Sequence, residues 1–158
     1  GDMPYVSKEI ANYLLTKHFA TAADYTVANK FSVGTSMEII SSSALSRVKQ
    51  FFPNAEYSEY MTWYFQNNPK YFKLNFVDLP TEWIRDFRLT LDYQEDLDVF
   101  NQIESHFKIN NLDYSIEELY KFLDENPKVN QLNSHISLVY KTDQDLIKIL
   151  NKKTKIHE

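Results

Sequence analysis

The stretch Arg88-Leu89-Thr90-Leu91-Asp92-Tyr93-Gln94-Glu95-Asp96-Leu97 carries the most chemistry in this sequence. Its first half has the character of a strand, and apolar residues return at helical spacing from Leu97 onward. In open α/β sheets, ligands bind beyond the carboxyl ends of the strands. Asp92, at such an edge and just ahead of a helix, is therefore placed to hold a cation. Its plainer reading is the N-cap of that helix. Asp96 and Asp98 read as first-turn acids that favour the positive end of the helix. A further acid, Asp2, stands two residues before Pro4. In that setting an Asp is ordinarily a turn or capping residue.

Much other chemistry is excluded. The 158 residues contain two glycines, Gly1 and Gly34, against about 7% in an average chain. Neither GxGxxG nor GxxxxGK[ST] can be written with them. The absence of Cys removes disulfides, thiolate metal sites and Cys nucleophiles, and fits a reducing compartment such as the cytoplasm. The four His have no ligand spacing such as HExxH. Ser41-Ser42-Ser43 has no readable His/Asp partners and reads as a helix cap. A net charge of -5, with no Lys/Arg cluster interleaved with aromatics, argues against nucleic acid. Lys148, Lys152, Lys153 and Lys155 read as a solvated tail. No apolar run approaches the roughly 20 residues of a membrane helix, and no secretory signal is visible.

The elements that must position these residues alternate in type. Ser7 is placed to cap a helix over about 8–20, and residues 23–28 read as a strand. A turn around Gly34 leads to a second short strand at 37–40. The serines cap a helix whose stripe is Leu45, Val48 and Phe52. The aromatic stretch 56–65 reads as one helix, with Tyr57, Tyr60, Met61, Tyr64 and Phe65 on one side. These rings suit a core or a subunit interface, or alternatively a sugar platform. Residues 72–77 and 87–91 read as strands. A helix over about 94–107 has Leu97, Phe100, Ile103 and Phe107 on its apolar face. Ser115-Ile116-Glu117-Glu118 is a capping box for a helix to Leu123, and a last helix spans about 143–151. The pattern predicts an α/β layered fold over 1–108 and a helical extension over 109–158.

Five collinear segments resemble one family, the sugar-activating cytidylyltransferases, nearest to the spore-coat polysaccharide branch. That branch is related to the enzymes that make CMP-activated neuraminate and ketodeoxyoctulosonate. Gly1-Asp2-Met3-Pro4 resembles the family's G-D-x-P. Gly34-Thr-Ser-Met-Glu38-Ile-Ile-Ser41 resembles its glycine-to-E-V-x-S segment. Ser58-Glu59-Tyr60-Met61-Thr62-Trp63-Tyr64, with Asn68-Pro69 and Phe72, resembles its R-E-H-V-T-x-Y…N-P…F run. Arg88 to Leu97 resembles the strand-Asp-helix signature. Leu123 to Pro127 with Asn133 and His135 resembles the extension that ends the spore-coat branch. Tyr60 stands where the family has His, and Ser58 where it has Arg.

The resemblance implies the C-terminal part of a Rossmann-like nucleotide-diphospho-sugar transferase fold followed by a helical extension. It implies Mg²⁺-dependent transfer of CMP from CTP to a sugar acid for surface polysaccharide, with pyrophosphate leaving. Asp2 and Asp92 match the two family aspartates that hold metal ions between triphosphate and acceptor. Glu38, Tyr60 and Arg88 fall on the acceptor side, where Arg88 either orients an anionic acceptor or pairs with a neighbouring carboxylate. Family relatives pair as homodimers near these sites. The family's CTP-gripping loop precedes G-D-x-P, so these 158 residues are expected to be the later half of such an enzyme, inactive alone. A non-catalytic binding or assembly module of the same fold is the alternative. A UDP-sugar transferase ranks behind both, because its Asp-x-Asp spelling, Asp96-Leu97-Asp98, falls inside the predicted helix.

Overall fold

A computed structural model describes residues 2–157; Gly1 of the first motif lies outside them. The chain divides into two compact units. One comprises Gly1–Tyr13, Ala28–Met37 and Asp78–Ile136, the other Leu14–Val27, Glu38–Val77 and Ser137–Glu158. The helices are α1 (Lys8–Thr21), α2 (Ser42–Phe51), α3 (Met61–Gln66), α4 (Gln94–Asn110), α5 (Ile116–Glu125), α6 (Pro127–Asn130), α7 (Val139–Thr142) and α8 (Gln144–Lys153). The strands are β1 (Tyr25–Ala28), β2 (Ile39–Ile40) and β3 (Leu74–Val77). None of the described helices is long and apolar enough to cross a membrane.

In the first unit, α4 and α5 supply the core through Val99, Ile103 and Phe107 on one and Ile116, Leu119 and Leu123 on the other, all buried. Ser7 Oγ caps α1 by accepting from Ile10 N–H at 3.1 Å, and Ser115 Oγ caps α5 by accepting from Glu118 N–H at 3.2 Å. Both capping serines behave as their spacing predicts. The segment 87–91 is extended but makes a single parallel bridge, Val33 to Arg88, rather than a full strand. Val33 N–H donates to Phe87 O at 2.9 Å and Leu89 N–H to Val33 O at 2.7 Å. The ladder stops because its partner turns: Gly34 has φ +89, and Thr35 N–H closes back on Ser32 O at 3.1 Å. A Cβ on Gly34 would lie 1.9 Å from Leu89 O. Glycine is required here both for its dihedral and for the close approach.

In the second unit the sheet order is β2-β1-β3, with β1 and β2 antiparallel in the register Tyr25 to Ile40 and Thr26 to Ile39. The β1 residues are buried along the whole strand. Phe65 stacks on Tyr25 at 5.1 Å and meets Phe72 edge-on at 4.9 Å. Ser41 Oγ caps α2 through Ala44 N–H at 3.2 Å. The buried positions of α2 are Ala44 and Val48, and Leu45 is exposed. Starting the helix at Ser42 puts the i, i+4 pair 44/48 inward and Leu45 on the flank. The aromatic stretch 56–65 is a 3₁₀ turn at Ser58–Tyr60 followed by α3, with Tyr64 and Phe65 buried. The Asn68 side chain, 3% exposed, donates to Tyr64 O at 2.8 Å and Thr154 O at 2.7 Å, and accepts from Ile156 N–H at 2.8 Å. That clasp gives the Asn68-Pro69 motif a structural role. Residues 109–136 fall in the first unit and 137–158 in the second.

Candidate functional site

The first unit holds the first, fourth and fifth motifs and the second unit the third, while the residues of the Gly34–Ser41 segment are divided between them. In the first unit, Leu91 N–H donates to the Asp2 carbonyl oxygen at 2.7 Å. The two candidate metal ligands, Asp2 and Asp92, are thereby set on paired backbones, ninety residues apart in sequence. Both residues are exposed.

Arg88, 7% exposed, lies behind Asp92. Its Nη2 donates to Asp92 Oδ2 at 2.7 Å and to Asp96 Oδ2 at 3.1 Å, and its Nε to Asp96 Oδ1 at 2.9 Å. The guanidinium also lies over the Tyr93 ring, 5.6 Å from its centre. Of the two readings of Arg88, this geometry is the carboxylate pairing.

Asp96 is fully buried and is the hub of the cluster. Besides Arg88 it accepts from Asp92 N–H at 2.9 Å, Tyr93 N–H at 3.0 Å and Asn133 Nδ2 at 2.9 Å. Burial pushes its carboxyl pKa up, but the bonds from Arg88, the two backbone amides and Asn133 outweigh that and hold it below the usual carboxylate range. Burial likewise opposes the Arg88 charge, and the bonds from Asp96 and Asp92 more than restore it. The α4 cap is thus made by Asp96 reaching back to the backbone, so Asp92 is not the helix N-cap. That removes the plainer reading of Asp92, whose Oδ2 is paired with Arg88 instead. Among the described residues, Oδ1 of Asp92 accepts no hydrogen bond. Asp96 and Asp98 both lie within α4, as the sequence predicts, which disfavours a strand-edge Asp-x-Asp metal motif.

Asn133 Nδ2 also donates to Arg88 O at 2.9 Å. Its Oδ1 is buried without a partner among the described residues. The opposite amide orientation would set an oxygen against both a carboxylate and a carbonyl, so the nitrogen faces Asp96.

In the second unit, the Glu38 and Thr62 motifs meet. Tyr25 OH donates to Glu38 Oε1 at 2.8 Å, and Thr62 Oγ1 donates to the same oxygen. Gln66 Nε2 donates to Tyr25 OH at 3.4 Å. Burial first, and the Glu38 charge second, raise the Tyr25 phenol pKa, so it remains a donor. Tyr60, half-buried at the end of the 3₁₀ turn, takes no part in the Glu38 hydrogen bonds.

Asp96 and Asn133 escaped the sequence reading as a pair. The spacing Arg88-Asp92-Asp96 was a usable signal for the first, since its charges recur every four residues. For Asn133 the resemblance marked the position but not the contacts, because its partners lie 37 and 45 residues away.

The donor set suits a hard divalent cation such as Mg²⁺, which takes carboxylate oxygens and keeps several waters. Asp92 offers a free oxygen and Asp2 an exposed carboxylate, while Asp96 is saturated. Among the described residues no three His, Asp or Glu side chains gather as a metal cluster. The fit is therefore to an ion held by one or two protein carboxylates.

No family model matches the chain. It is 30% identical over 141 residues to the uncharacterized protein MJ1063 of Methanocaldococcus jannaschii, covering 86% of this chain and 56% of that protein. It is 28% identical over 131 residues to the spore coat polysaccharide biosynthesis protein SpsF of Bacillus subtilis, covering 80% and 53%. A cytidylyltransferase structure from Leptospira borgpetersenii superposes with a TM-score of 0.70 at 21% identity, over 87% of this chain and 57% of that one. The chain is a homologue of SpsF with a cytidylyltransferase fold. It spans just over half the length of the curated relatives it matches. The α/β nucleotidyltransferase fold expected from the sequence is the one found.

Proposed function

We propose that this chain is the metal-side and acceptor-side portion of an enzyme that transfers CMP from CTP to a sugar acid for surface-polysaccharide assembly. The observation that carries the reading is the Leu91 N–H bond to the Asp2 carbonyl, which pairs the two motifs whose acids match the family's metal ligands. Homology to SpsF and the cytidylyltransferase fold support it.

In the proposed reaction an acceptor hydroxyl oxygen bonds to the α-phosphorus of CTP. The bond from that phosphorus to the β-phosphate oxygen breaks, pyrophosphate leaves, and the hydroxyl proton passes to solvent. Asp2 and Asp92 would hold Mg²⁺, which would supply neutralisation of the charge building on the phosphoryl oxygens. Arg88 pairs with both Asp92 and the buried Asp96, and one guanidinium against two carboxylates leaves the cluster a net negative charge toward a cation. Glu38, fixed by Tyr25 and Thr62, presents a carboxylate to shape the acceptor pocket, and Tyr60 is a wall residue of that pocket. A second copy of the chain is the expected partner, and the cytoplasm the expected compartment.

The test joins this chain to the N-terminal half of SpsF and measures pyrophosphate release from CTP with neuraminate and ketodeoxyoctulosonate as acceptors. The expected result is release that needs CTP, acceptor and Mg²⁺ together. The binding-module alternative predicts no CTP binding but a specific protein or sugar partner, so clear binding of CTP and Mg²⁺ to the 158-residue chain by calorimetry would overturn it.

A further inference from the structure

We infer that Arg88, Asp96 and Asn133 act as positioning residues for the Asp92 carboxylate, with Asn133 delivering the α6–α7 connection to the metal side. The inference rests on the reading that Asp92 holds a divalent cation.

Three observations carry it. First, Arg88 Nη2 sits between Asp92 Oδ2 at 2.7 Å and Asp96 Oδ2 at 3.1 Å, so one oxygen of the exposed Asp92 is pinned and the other accepts no hydrogen bond among the described residues. Second, Arg88 cannot swing away, because its Nε is bound to Asp96 at 2.9 Å. Asp96 in turn is fixed by two backbone amides, one of them that of Asp92 itself. Carboxylate and backbone of Asp92 are thus both tied to one buried group. Third, Asn133 is fully buried and spends its amide nitrogen on Asp96 Oδ1 and Arg88 O, while its own oxygen is left without a partner among the described residues.

Stability alone does not call for this arrangement. Buried ion pairs replaced by packed apolar residues are often as stable or more so. An orphaned buried carbonyl oxygen is a further cost that an apolar side chain would avoid. What the arrangement provides is a fixed direction for one exposed carboxylate. Groups that orient metal ligands from behind commonly change affinity by about 10–100-fold when removed.

A purely electrostatic role for Arg88 predicts the reverse sign. If Arg88 only competed with the cation for Asp92, loosening it would tighten metal binding. The sign of the change therefore separates positioning from competition.

The test is Mn²⁺ binding to the 158-residue chain, read by electron paramagnetic resonance of free Mn²⁺, at a temperature where circular dichroism shows each variant folded. Asp92→Ala is expected to weaken binding at least tenfold; no change there overturns the metal reading itself. Given that loss, Arg88→Lys keeps the charge but breaks the fork, and is expected to weaken Mn²⁺ by about 10–100-fold. Asn133→Ala leaves every charge in place and is expected to weaken it in the same direction. On the Asp92→Ala background, Asn133→Ala is expected to cause no further loss. Unchanged or tighter binding in folded Asn133→Ala or Arg88→Lys overturns the inference, as does an equal loss on both backgrounds. Should Arg88→Lys not fold, Asn133→Ala and the double variant decide alone.

Discussion

Gly34 and Leu89 approach so closely that a single added carbon would stand 1.9 Å from the Leu89 carbonyl oxygen. This contact fixes where the chain turns beside the segment that ends at Asp92. Gly34→Ala would also need a φ of +89, which L side chains rarely adopt. The combined strain and overpacking are expected to cost about 3 kcal/mol or more. In a chain of this size that lowers the melting temperature by about 6–12 °C. Thermal denaturation checks it, and a melting temperature within a degree of the parent's would contradict the contact.

The buried Asp96 carboxylate gives stability a defined pH dependence. Its folded pKa lies below the unfolded value of about 3.9. Its contribution is therefore fully present above about pH 5 and is lost as pH falls through the folded pKa. Asp96→Asn leaves Arg88 short of a charge partner and is expected to cost about 3–5 kcal/mol at neutral pH. The gap between parent and variant should narrow below about pH 4. Urea unfolding at several pH values measures it; a gap independent of pH would show that Asp96 is not the ionised partner.

Asn68 ties the 154–157 segment to α3 with three hydrogen bonds. Asn68→Ala leaves the carbonyls of Tyr64 and Thr154 and the Ile156 amide without this partner, at an expected cost of about 2–4 kcal/mol. Limited proteolysis should then cut first near residues 154–157. Protection of that segment in a folded variant would refute the clasp.

Local spacing made part of this fold legible. Ser7, Ser41 and Ser115 each cap the helix that their sequence context predicts, because an N-cap bond spans only three residues. Alternation and period located β1, β3, α4 and α8. What escaped depends on partners far along the chain. The apolar pattern of α4 points Leu97 inward, yet Leu97 is 40% exposed and Asp96 is fully buried. Neighbouring residues on a helix differ by about 100° in direction, and the Arg88 charge, eight residues earlier, decides which of the two turns inside. Likewise the Glu38 and Thr62 motifs are read separately in sequence, and only the fold brings Thr62 and the β1 phenol of Tyr25 onto the same Glu38 oxygen. The expected strand at 87–91 shrank to one bridge because its partner is a glycine turn. The candidate acids were legible by resemblance; the device behind Asp92 was not.

Asp92 is the proposed metal ligand of nucleotidyl transfer. The decisive measurement is pyrophosphate release by the chain joined to the SpsF N-terminal half, with and without Asp92→Ala, across a Mg²⁺ titration. Loss of a metal ligand worth several kcal/mol of charge stabilisation predicts a fall in turnover of at least about 100-fold. Turnover unchanged by Asp92→Ala, at every Mg²⁺ concentration, would contradict it.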